Sequence, residues 1–233
     1  MKVAIVGYGK MGKEIESILV ERGHEIHTRI GRNDSLDSIS GCDVAIEFTR
    51  PEHALKNIRQ IIDSGIPLVC GTTGWYDSIE EVEEWVLLSN AALVHASNFS
   101  LGVQLFFELN RKLSLLMQSF KDYRPSITEI HHTEKLDAPS GTALSLYEDL
   151  AKVSDYRNWH LGTLPRENSL PIEAIREMDV KGTHRVKFSS EVDEIEITHN
   201  AHSRKGFALG AVIAAEWVLE KRGTFTMRDV LGI

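Results

Sequence analysis

The sequence contains little cysteine, little basic charge and no long apolar run, and each shortage excludes a class of protein. Only Cys42 and Cys70 occur among the 233 residues, too few for a disulfide-rich secreted domain or a cysteine-based zinc site. Both lie inside apolar segments, so we expect buried, reduced thiols. No apolar run reaches the roughly 18 residues that a membrane-spanning helix requires.

Acidic residues outnumber basic ones, with 34 Asp and Glu against 26 Lys and Arg and a formal net charge of -8. An acidic chain without a basic tract is a poor candidate for binding nucleic acid. The first apolar segment breaks at Gly7 and lacks the small-residue cleavage site of a signal peptide. We therefore expect a cytoplasmic protein whose partner is a small molecule, with no binding to nucleic acid or membrane.

Short apolar segments and amphipathic helices alternate through the first hundred residues. The segment Lys2–Val6 is apolar, rich in β-branched residues and followed by a glycine, which is typical of a buried parallel strand. Predicted strands cover residues 2–6, 24–30, 43–48, 67–70 and 91–96, and predicted helices cover residues 13–21, 51–64 and 78–88. The alternation predicts an α/β fold, with a Rossmann-like, doubly wound parallel sheet over residues 1–100.

The pattern changes after about residue 100. Predicted helices cover residues 102–119, 140–153 and 205–222, and predicted strands cover residues 126–132, 183–191 and 193–200. The last two strands are separated by a tight link and predict an antiparallel hairpin, while residues 154–182 are expected to be irregular. We predict a second, α+β domain over residues 101–204, which binds substrate and mediates oligomerisation, and a return of residues 205–233 to the first domain.

Three glycines follow the first predicted strand with the spacing G-x-G-x-x-G. Gly7, Gly9 and Gly12 would allow a tight turn, close approach of a pyrophosphate and close packing of helix on strand, respectively. The following helix would present its free N–H groups to the phosphates. This context predicts dinucleotide binding by the first domain, and the alternative is a tight strand–helix turn without a ligand.

The second predicted strand ends near Thr28, Arg29 and Arg32, without the carboxylate that usually contacts the ribose of NAD. A basic residue at this place can hold a 2′-phosphate. Arg29 therefore favours NADPH and leaves NADH open, and the alternative is that both arginines are ordinary surface charges.

Two further loops follow predicted strands of the same sheet, where open α/β sheets bind ligands. One contains Gly71, Thr72 and Thr73, and the other runs from Ala96 to Ser100. In the second loop, Asn98 could bond the nicotinamide carboxamide and Phe99 could lie against its ring. The alternative is that both loops are turns selected only for their conformation.

The densest polar segment, residues 129–142, contains His131, His132 and Lys135 and ends in Ser-Gly-Thr at a predicted helix start. Histidine and lysine can supply protons and neutralise carboxylates, and the N–H groups of Gly141 and Thr142 can bind a carboxylate. Alternatives are a histidine metal site that includes His199 and His202, or an exposed loop without a role. Weaker candidates for the site are Thr198, His199, Ser203 and Arg204.

Four segments together resemble one known family. They are E-I-H-H-T-E-K-L-D-A-P-S-G-T-A at 129–143, F-T-R-P at 48–51, G-T-T-G at 71–74 and A-S-N-F-S-L-G-V at 96–103. In these motifs, and over nearly its whole length, the sequence resembles 4-hydroxy-tetrahydrodipicolinate reductases of lysine and diaminopimelate biosynthesis. The first segment is the most specific, since it matches the substrate and catalytic signature of that family.

The resemblance implies a role for each matching residue. His131 and Lys135 resemble the proton donors of the family, and His132, Gly141 and Thr142 resemble its contacts to substrate carboxylates. The residues that resemble cofactor contacts are Gly7, Tyr8, Gly9, Lys10, Met11, Gly12, Gly71, Thr72, Thr73, Ala96, Ser97, Asn98 and Phe99.

The family also implies NADH or NADPH as cofactor, no metal, and a homotetramer built through the sheet of the second domain. The sequence departs from the family at Glu134, where members often have histidine, and at Lys10, where arginine is commoner. Two rival interpretations are an NAD(H)-sensing regulatory module and a dehydrogenase of another small dicarboxylate. The sensing module explains the glycine motif equally well but gives no reason for the polar segment.

Overall fold

The computed structural model describes residues 1–32, 34–203 and 205–233. The chain divides into two compact units, a first unit of Met1–Leu101 with Arg204–Ile233 and a second unit of Gly102–Ser203. Among the described residues, no helix has both the length and the apolar character that crossing a membrane requires. The elements in chain order are β1 (Lys2–Val6), α1 (Lys10–Glu21), β2 (Glu25–Ile30), β3 (Val44–Glu47), α2 (Pro51–Asp63), β4 (Leu68–Cys70), α3 (Ile79–Leu88), β5 (Ala92–His95), α4 (Leu101–Met117), β6 (Arg124–His131), α5 (Gly141–Ala151), β7 (Asn158–Leu161), β8 (Ser169–Arg176), β9 (Thr183–Ser189), β10 (Glu194–Asn200), α6 (Lys205–Val218), β11 (Gly223–Phe225) and α7 (Met227–Leu231).

The first unit contains a six-stranded sheet in the order β11-β5-β4-β3-β1-β2, and every pairing in it is parallel. Side chains of α1 and α6 form the core on one face, and side chains of α2 and α3 form the core on the other. Burial on both faces explains why the strands are continuous apolar runs. The predicted doubly wound parallel sheet is confirmed.

The second unit contains a five-stranded mixed sheet in the order β10-β9-β6-β8-β7. The predicted hairpin is confirmed, since β9 and β10 pair antiparallel. Strand β6 pairs antiparallel with β9 and parallel with β8. Apolar residues of α4 and α5 pack on one face of this sheet, which we call the inward face, around Ile127, Leu146 and Val186.

Three predictions about the elements are wrong. Residues 154–182 were expected to be irregular because of Pro165 and Pro171, but they contain β7 and β8, which pair with each other and join the sheet through β6. Helix α6 ends at Val218 rather than residue 222, because residues 223–225 form a strand along β5. Helix α1 begins at Lys10 rather than residue 13, so Gly9 is its N-cap.

Both cysteines are free thiols, as expected, although only Cys70 is buried and Cys42 is half-buried. Cys42 lies just before β3 rather than within a strand.

Candidate active site

The glycine loop is held against the end of β2. The backbone N–H groups of Gly7 and Tyr8 both donate to the carbonyl oxygen of Ile30, at 2.9 and 3.2 Å. Gly7 has a φ of +99°, and a Cβ there would lie 2.0 Å from the Phe48 oxygen. A Cβ at Gly12 would lie 2.4 Å from the Gly7 oxygen. Two of the glycines are therefore required by the packing of the loop itself.

Gly9 differs from the other two glycines of the motif. A Cβ at Gly9 would meet no atom within 4 Å, so the packing of the protein does not require glycine there. The residue is exposed and caps α1, whose first N–H groups lack acceptors within the helix. The open backbone at a helix N-terminus fits a pyrophosphate that approaches the main chain closely.

The loops that follow β3 and β4 are tied to each other. The Thr49 N–H donates to the Thr72 hydroxyl at 2.7 Å, and the Trp75 indole N–H donates to the Thr72 carbonyl at 2.8 Å. A Cβ at Gly71 would lie 2.1 Å from the Phe48 ring. The Thr72 hydroxyl thus joins two loops, whereas Thr73 is exposed.

Phe99 lies deeper than its sequence context suggests. Its side chain is only 1% exposed and its ring packs 5.7 Å from that of Phe48. The ring is part of the core, so a cofactor contact at this position has to come from the main chain. In the same loop Ser97 is exposed, and Asn98 accepts a hydrogen bond from the Ser100 N–H at 2.8 Å.

A buried carboxylate that sequence analysis missed lies under these loops. Glu47, at the end of β3, is fully buried. It accepts hydrogen bonds from the Thr49 hydroxyl and from the Asn57 amide, and the Cys70 thiol lies 3.2 Å from it. Burial, with the Glu47 charge adding to it, raises the pKa of Cys70 well above its usual value. The thiol is therefore protonated and can donate to Glu47.

In the second unit, the alternation of β6 places Glu129 and His131 on the inward face beside Ile127. Glu129 is fully buried. One of its oxygens accepts from the Arg176 guanidinium at 3.1 Å, and the other accepts from the Ser140 N–H at 3.0 Å. Burial acts to raise the pKa of this carboxyl, but the contacts with His131, Ser140 and Arg176 outweigh it and lower the pKa to about 2.

Two histidines adjoin Glu129. His131 Nδ1 lies 3.3 Å from Glu129 Oε2, without the alignment of a hydrogen bond. His184 on β9 is the direct cross-strand partner of Glu129, and its Nε2 lies 3.9 Å from the same oxygen. Burial, reinforced by His131, lowers the pKa of His184 to about 3. His184 is consequently uncharged at neutral pH.

Ser140 connects this cluster to the N-terminus of α5. Its hydroxyl accepts from the Ala143 N–H at 3.2 Å as the helix N-cap and lies 3.1 Å from His184 Nε2. Because its own N–H donates to Glu129, Ser140 is fixed by three hydrogen bonds. The next residues, Gly141 and Thr142, begin the helix with N–H groups that lack intrahelical acceptors. Gly141 is exposed, and a Cβ there would meet nothing within 4 Å.

Lys135 lies in the loop between β6 and α5. Its ammonium is 2.8 Å from both oxygens of Asp137, and this pairing lowers the pKa of Asp137. Arg176 holds the loop by donating to the carbonyl oxygens of Lys135 and Asp137, at 3.2 and 2.6 Å. The same guanidinium binds Glu129, so Arg176 joins the Lys135 loop to the buried cluster.

The remaining candidate residues differ in position and burial. His132 is half-buried at the end of β6. His199 lies on the inward face opposite His184, with its ring 6.0 Å from that of Phe106. Thr198 is exposed on the neighbouring position of β10, Ser203 is exposed, and Arg204 lies outside the described residues.

One group of described residues could hold a metal ion: Glu129, His131 and His184, whose ligand atoms lie within 4.8 Å of one another. The histidine set considered from the sequence is different, since His132, His199 and His202 are not in this group. Sequence analysis gave no role to Glu129, Arg176 or His184. The sequence feature that could have indicated Glu129 is an acidic residue at an inward position of a strand, two residues before His131.

Comparisons with known proteins agree with this architecture. Residues 1–99 match the family model described as "Dihydrodipicolinate reductase, N-terminus", and residues 102–231 match "Dihydrodipicolinate reductase, C-terminus". A 4-hydroxy-tetrahydrodipicolinate reductase of Christiangramia forsetii is 48% identical over 99% of this chain and 98% of its own length. One of Neisseria meningitidis is 36% identical over 94% of this chain and 84% of its own length.

Among solved structures, the dipicolinate-bound dihydrodipicolinate reductase from Paenisporosarcina sp. TG-14 has the same fold. The TM-score is 0.80, with 97% of each chain covered and 21% sequence identity. Family models cover nearly the whole chain, and curated relatives align along its length. The chain therefore belongs to the dihydrodipicolinate reductase family.

Proposed function

We propose that this protein catalyses the NAD(P)H-dependent reduction of 4-hydroxy-tetrahydrodipicolinate to tetrahydrodipicolinate, a step of lysine and diaminopimelate biosynthesis. The observation that carries the proposal is the cluster of His131, Glu129 and Ser140, which joins a buried histidine to the N-terminus of α5. The family membership of the chain supplies the substrate class. We further propose that the protein acts in the cytoplasm, as expected for a biosynthetic enzyme of this kind.

The N-terminus of α5 supports the binding of a dicarboxylate. The N–H groups of Gly141 and Thr142 are oriented along the helix axis, and the helix dipole adds partial positive charge at this end. Lys135 and His132 lie in the preceding segment and are the proposed partners of the substrate carboxylates. Asp137 pairs with Lys135 at 2.8 Å, so a bound carboxylate would compete with Asp137 for the ammonium.

His131 is the proposed proton donor and acceptor. The reaction releases one water molecule and takes up one hydride and one proton, so at least one group must move protons at the substrate. Glu129 lies 3.3 Å from Nδ1, and at the other edge of the ring Gly182 offers no side chain near Nε2. Nε2 is therefore the atom available for exchange, and Lys135 is the proposed second proton donor.

The first unit is the proposed dinucleotide-binding domain, and the second unit is the proposed substrate-binding domain. When bound, a nicotinamide dinucleotide supplies the hydride. Gly9 and the N-terminus of α1 would bind the pyrophosphate, and the loops after β4 and β5 would border the nicotinamide. The proposed contacts to the dinucleotide are Gly7, Tyr8, Gly9, Lys10, Met11, Gly12, Arg29, Gly71, Thr72, Thr73, Ala96, Ser97, Asn98 and Phe99.

We propose that catalysis needs no metal, although Glu129, His131 and His184 could reach a common ion. Glu129 already accepts hydrogen bonds at both oxygens, from Arg176 and Ser140. An ion on this carboxylate would lie near the Arg176 guanidinium and be repelled by it.

A homotetramer is the proposed assembly, formed through the sheet of the second unit. Both helices of this unit pack on the inward face. The opposite face presents half-buried polar residues such as Thr128, Arg185 and Lys187. Light scattering coupled to size exclusion would test this part separately.

The deciding experiment is a coupled assay. The unstable substrate is generated in place from pyruvate and aspartate semialdehyde by the upstream synthase, and the oxidation of NADPH and NADH is followed in separate reactions. Oxidation that requires both the synthase and this protein supports the proposal. Absence of oxidation, with nucleotide binding shown independently, overturns it and favours a sensing module or a different substrate.

A further inference from the structure

In the first unit, Tyr8 and Arg29, both proposed contacts to the dinucleotide, form a cluster with Glu16, to which the proposed reaction gives no role. The Arg29 Nε–H donates to Glu16 Oε1 at 3.0 Å, and the terminal guanidinium nitrogen Nη2 contacts the same oxygen. The Tyr8 hydroxyl donates to the other oxygen of Glu16. The Arg29 guanidinium carbon lies 5.9 Å from the centre of the Tyr8 ring. Glu16 therefore accepts hydrogen bonds from both Tyr8 and Arg29.

The cluster lies at the place where this fold class binds the adenosine ribose. Arg29 is the penultimate residue of β2, and the next residue, Ile30, accepts the N–H groups of Gly7 and Tyr8 from the glycine loop. In Rossmann-like sheets, the residue at the end of this strand distinguishes a ribose 2′-hydroxyl from a 2′-phosphate. Arginine there would ordinarily favour the phosphate, as the sequence alone suggested.

We propose that Glu16 is a specificity-determining residue, which engages Arg29 and so makes the protein favour NADH over NADPH. This inference rests on the proposed function, since it concerns the same nucleotide site. A 2′-phosphate would have to displace the Glu16 carboxylate from Arg29 while lying near its negative charge. The uncharged 2′-hydroxyl of NADH meets no such repulsion and can donate a hydrogen bond to the carboxylate.

The charges around the cluster support a preference rather than an exclusion. Hydrogen bonds from Arg29 and Tyr8 lower the pKa of Glu16, so its carboxylate is ionised at neutral pH. The ammonium of Lys13 lies 6.0 Å from the centre of the Tyr8 ring on the same helix as Glu16. The Lys13 ammonium is a cation that Glu16 does not contact directly, and it would still attract the 2′-phosphate of NADPH.

The test is the substitution Glu16→Gln, with NADH and NADPH titrated separately by calorimetry or nicotinamide fluorescence. The substitution keeps the side chain nearly isosteric and removes the charge that opposes the phosphate. We expect the ratio of the Kd for NADPH to the Kd for NADH to fall about tenfold, as for one charge-assisted hydrogen bond gained by the phosphate. Glu14→Gln is the matched control, because it removes the same charge from α1 two residues away, and there the ratio should stay unchanged.

Arg29→Ala completes the test. In the Glu16→Gln background it should cancel the gain for NADPH. An unchanged ratio in Glu16→Gln, or an equal change in Glu14→Gln, would overturn the proposed role of Glu16 while leaving the proposed reductase function standing. Failure of the unsubstituted protein to bind either nucleotide would overturn both proposals. Melting temperatures of all variants report whether each one is folded.

Discussion

The candidate sites of the two units are formed from different kinds of residue. In the first unit, the glycine loop depends on residues without side chains. Gly7 and Gly12 allow the loop to close, and Gly9 leaves its backbone open. In the second unit, the candidate site consists of polar side chains on the inward face of a sheet, where the charged Glu129 and the uncharged His184 are cross-strand neighbours.

The two sites therefore differ in their effect on the stability of the folded protein. The glycine loop itself carries no charged side chain, and its main cost is the conformational entropy that its glycines lose on folding. A fully buried carboxylate must be compensated by hydrogen bonds and a counter-charge, or it destabilises the protein. Substitutions in the second unit should therefore affect stability and chemistry together, and substitutions at open positions of the first unit should affect binding alone.

The largest expected effect separates the two units by function. His131→Ala should reduce turnover by about 10² to 10⁴-fold, the range for removal of a general acid or base, because His131 is the proposed proton donor and acceptor. Nucleotide affinity should remain unchanged, since the glycine loop belongs to the other unit. Steady-state kinetics and a nucleotide titration on the same sample measure both.

A buried histidine elsewhere in the second unit provides the control for His131. His160 bonds the Ser169 hydroxyl at 2.8 Å and the Leu164 carbonyl at 2.9 Å. His160→Ala should lower the melting temperature and leave turnover per folded molecule intact. Normal turnover in His131→Ala would remove this residue from the mechanism.

The next effect tests the cost of burying charge. Glu129→Gln should reduce the free energy of unfolding by about 3 kcal/mol, because Arg176 loses its buried counter-charge. Glu148→Gln is the control. Glu148 is exposed on α5, so its substitution should change stability by less than about 0.5 kcal/mol. Urea denaturation of both variants measures the two changes in the free energy of unfolding. Equal losses would show that Glu129 has no greater effect on stability than the control residue.

A matched pair of glycine substitutions sharpens the comparison within the first unit. Gly9→Ala should leave the melting temperature unchanged, since the added methyl meets no protein atom, and should weaken nucleotide binding about tenfold by occupying the space of the pyrophosphate. Gly12→Ala should lower the melting temperature by several degrees, because its methyl would overlap the Gly7 carbonyl. Unimpaired binding by Gly9→Ala would show that the pyrophosphate lies elsewhere.

The smallest expected effect concerns an ion cluster at the C-terminal end of α1, the end opposite the glycine loop. Glu216 on α6 binds the Arg22 guanidinium through both oxygens at 2.8 Å and His24 at 2.7 Å. These contacts, Arg22 first, lower the pKa of Glu216. Glu216→Gln should cost about 1 kcal/mol at neutral pH, as expected for a partly exposed pair.

The pH dependence of this effect has a definite sign. A lowered carboxyl pKa stabilises the folded state above the ordinary pKa, and the contribution is lost as pH falls through the lowered value. The stabilities of the unsubstituted protein and Glu216→Gln should therefore converge below about pH 4. Glu220→Gln, an exposed acid on the following turn, should show no such convergence.

The sequence predicts the first unit better than the second, for a physical reason. Strands such as β1 and β3 are buried on both faces, and their apolar runs mark them without reference to any partner. The glycine motif is equally local. By contrast, β8 contains Pro171 and becomes a strand only through its two neighbours in the sheet.

The cluster around Glu129 could be predicted only in part. His131, Lys135 and the start of α5 lie close together in sequence, and their residue types indicate proton chemistry. Arg176 and His184 reach Glu129 only because β8 and β9 flank β6, an arrangement that no local pattern determines. Likewise, the contact between Glu16 and Arg29 joins a helix to a strand, and the proposed preference for NADH rests on this contact, which the sequence around Arg29 alone does not reveal.

The pairing of β11 with β5 has a consequence for biosynthesis of the chain. The ribosome makes the first five strands of the parallel sheet early, but β11 and α6 follow only after the whole second unit has been translated. During that interval the face that α6 later covers exposes apolar residues such as Val3, Val69 and Val94, all of which belong to the same core cluster as α6. The nascent first unit therefore has an uncovered apolar surface until α6 has been translated, and in this period a ribosome-associated chaperone has the most to protect.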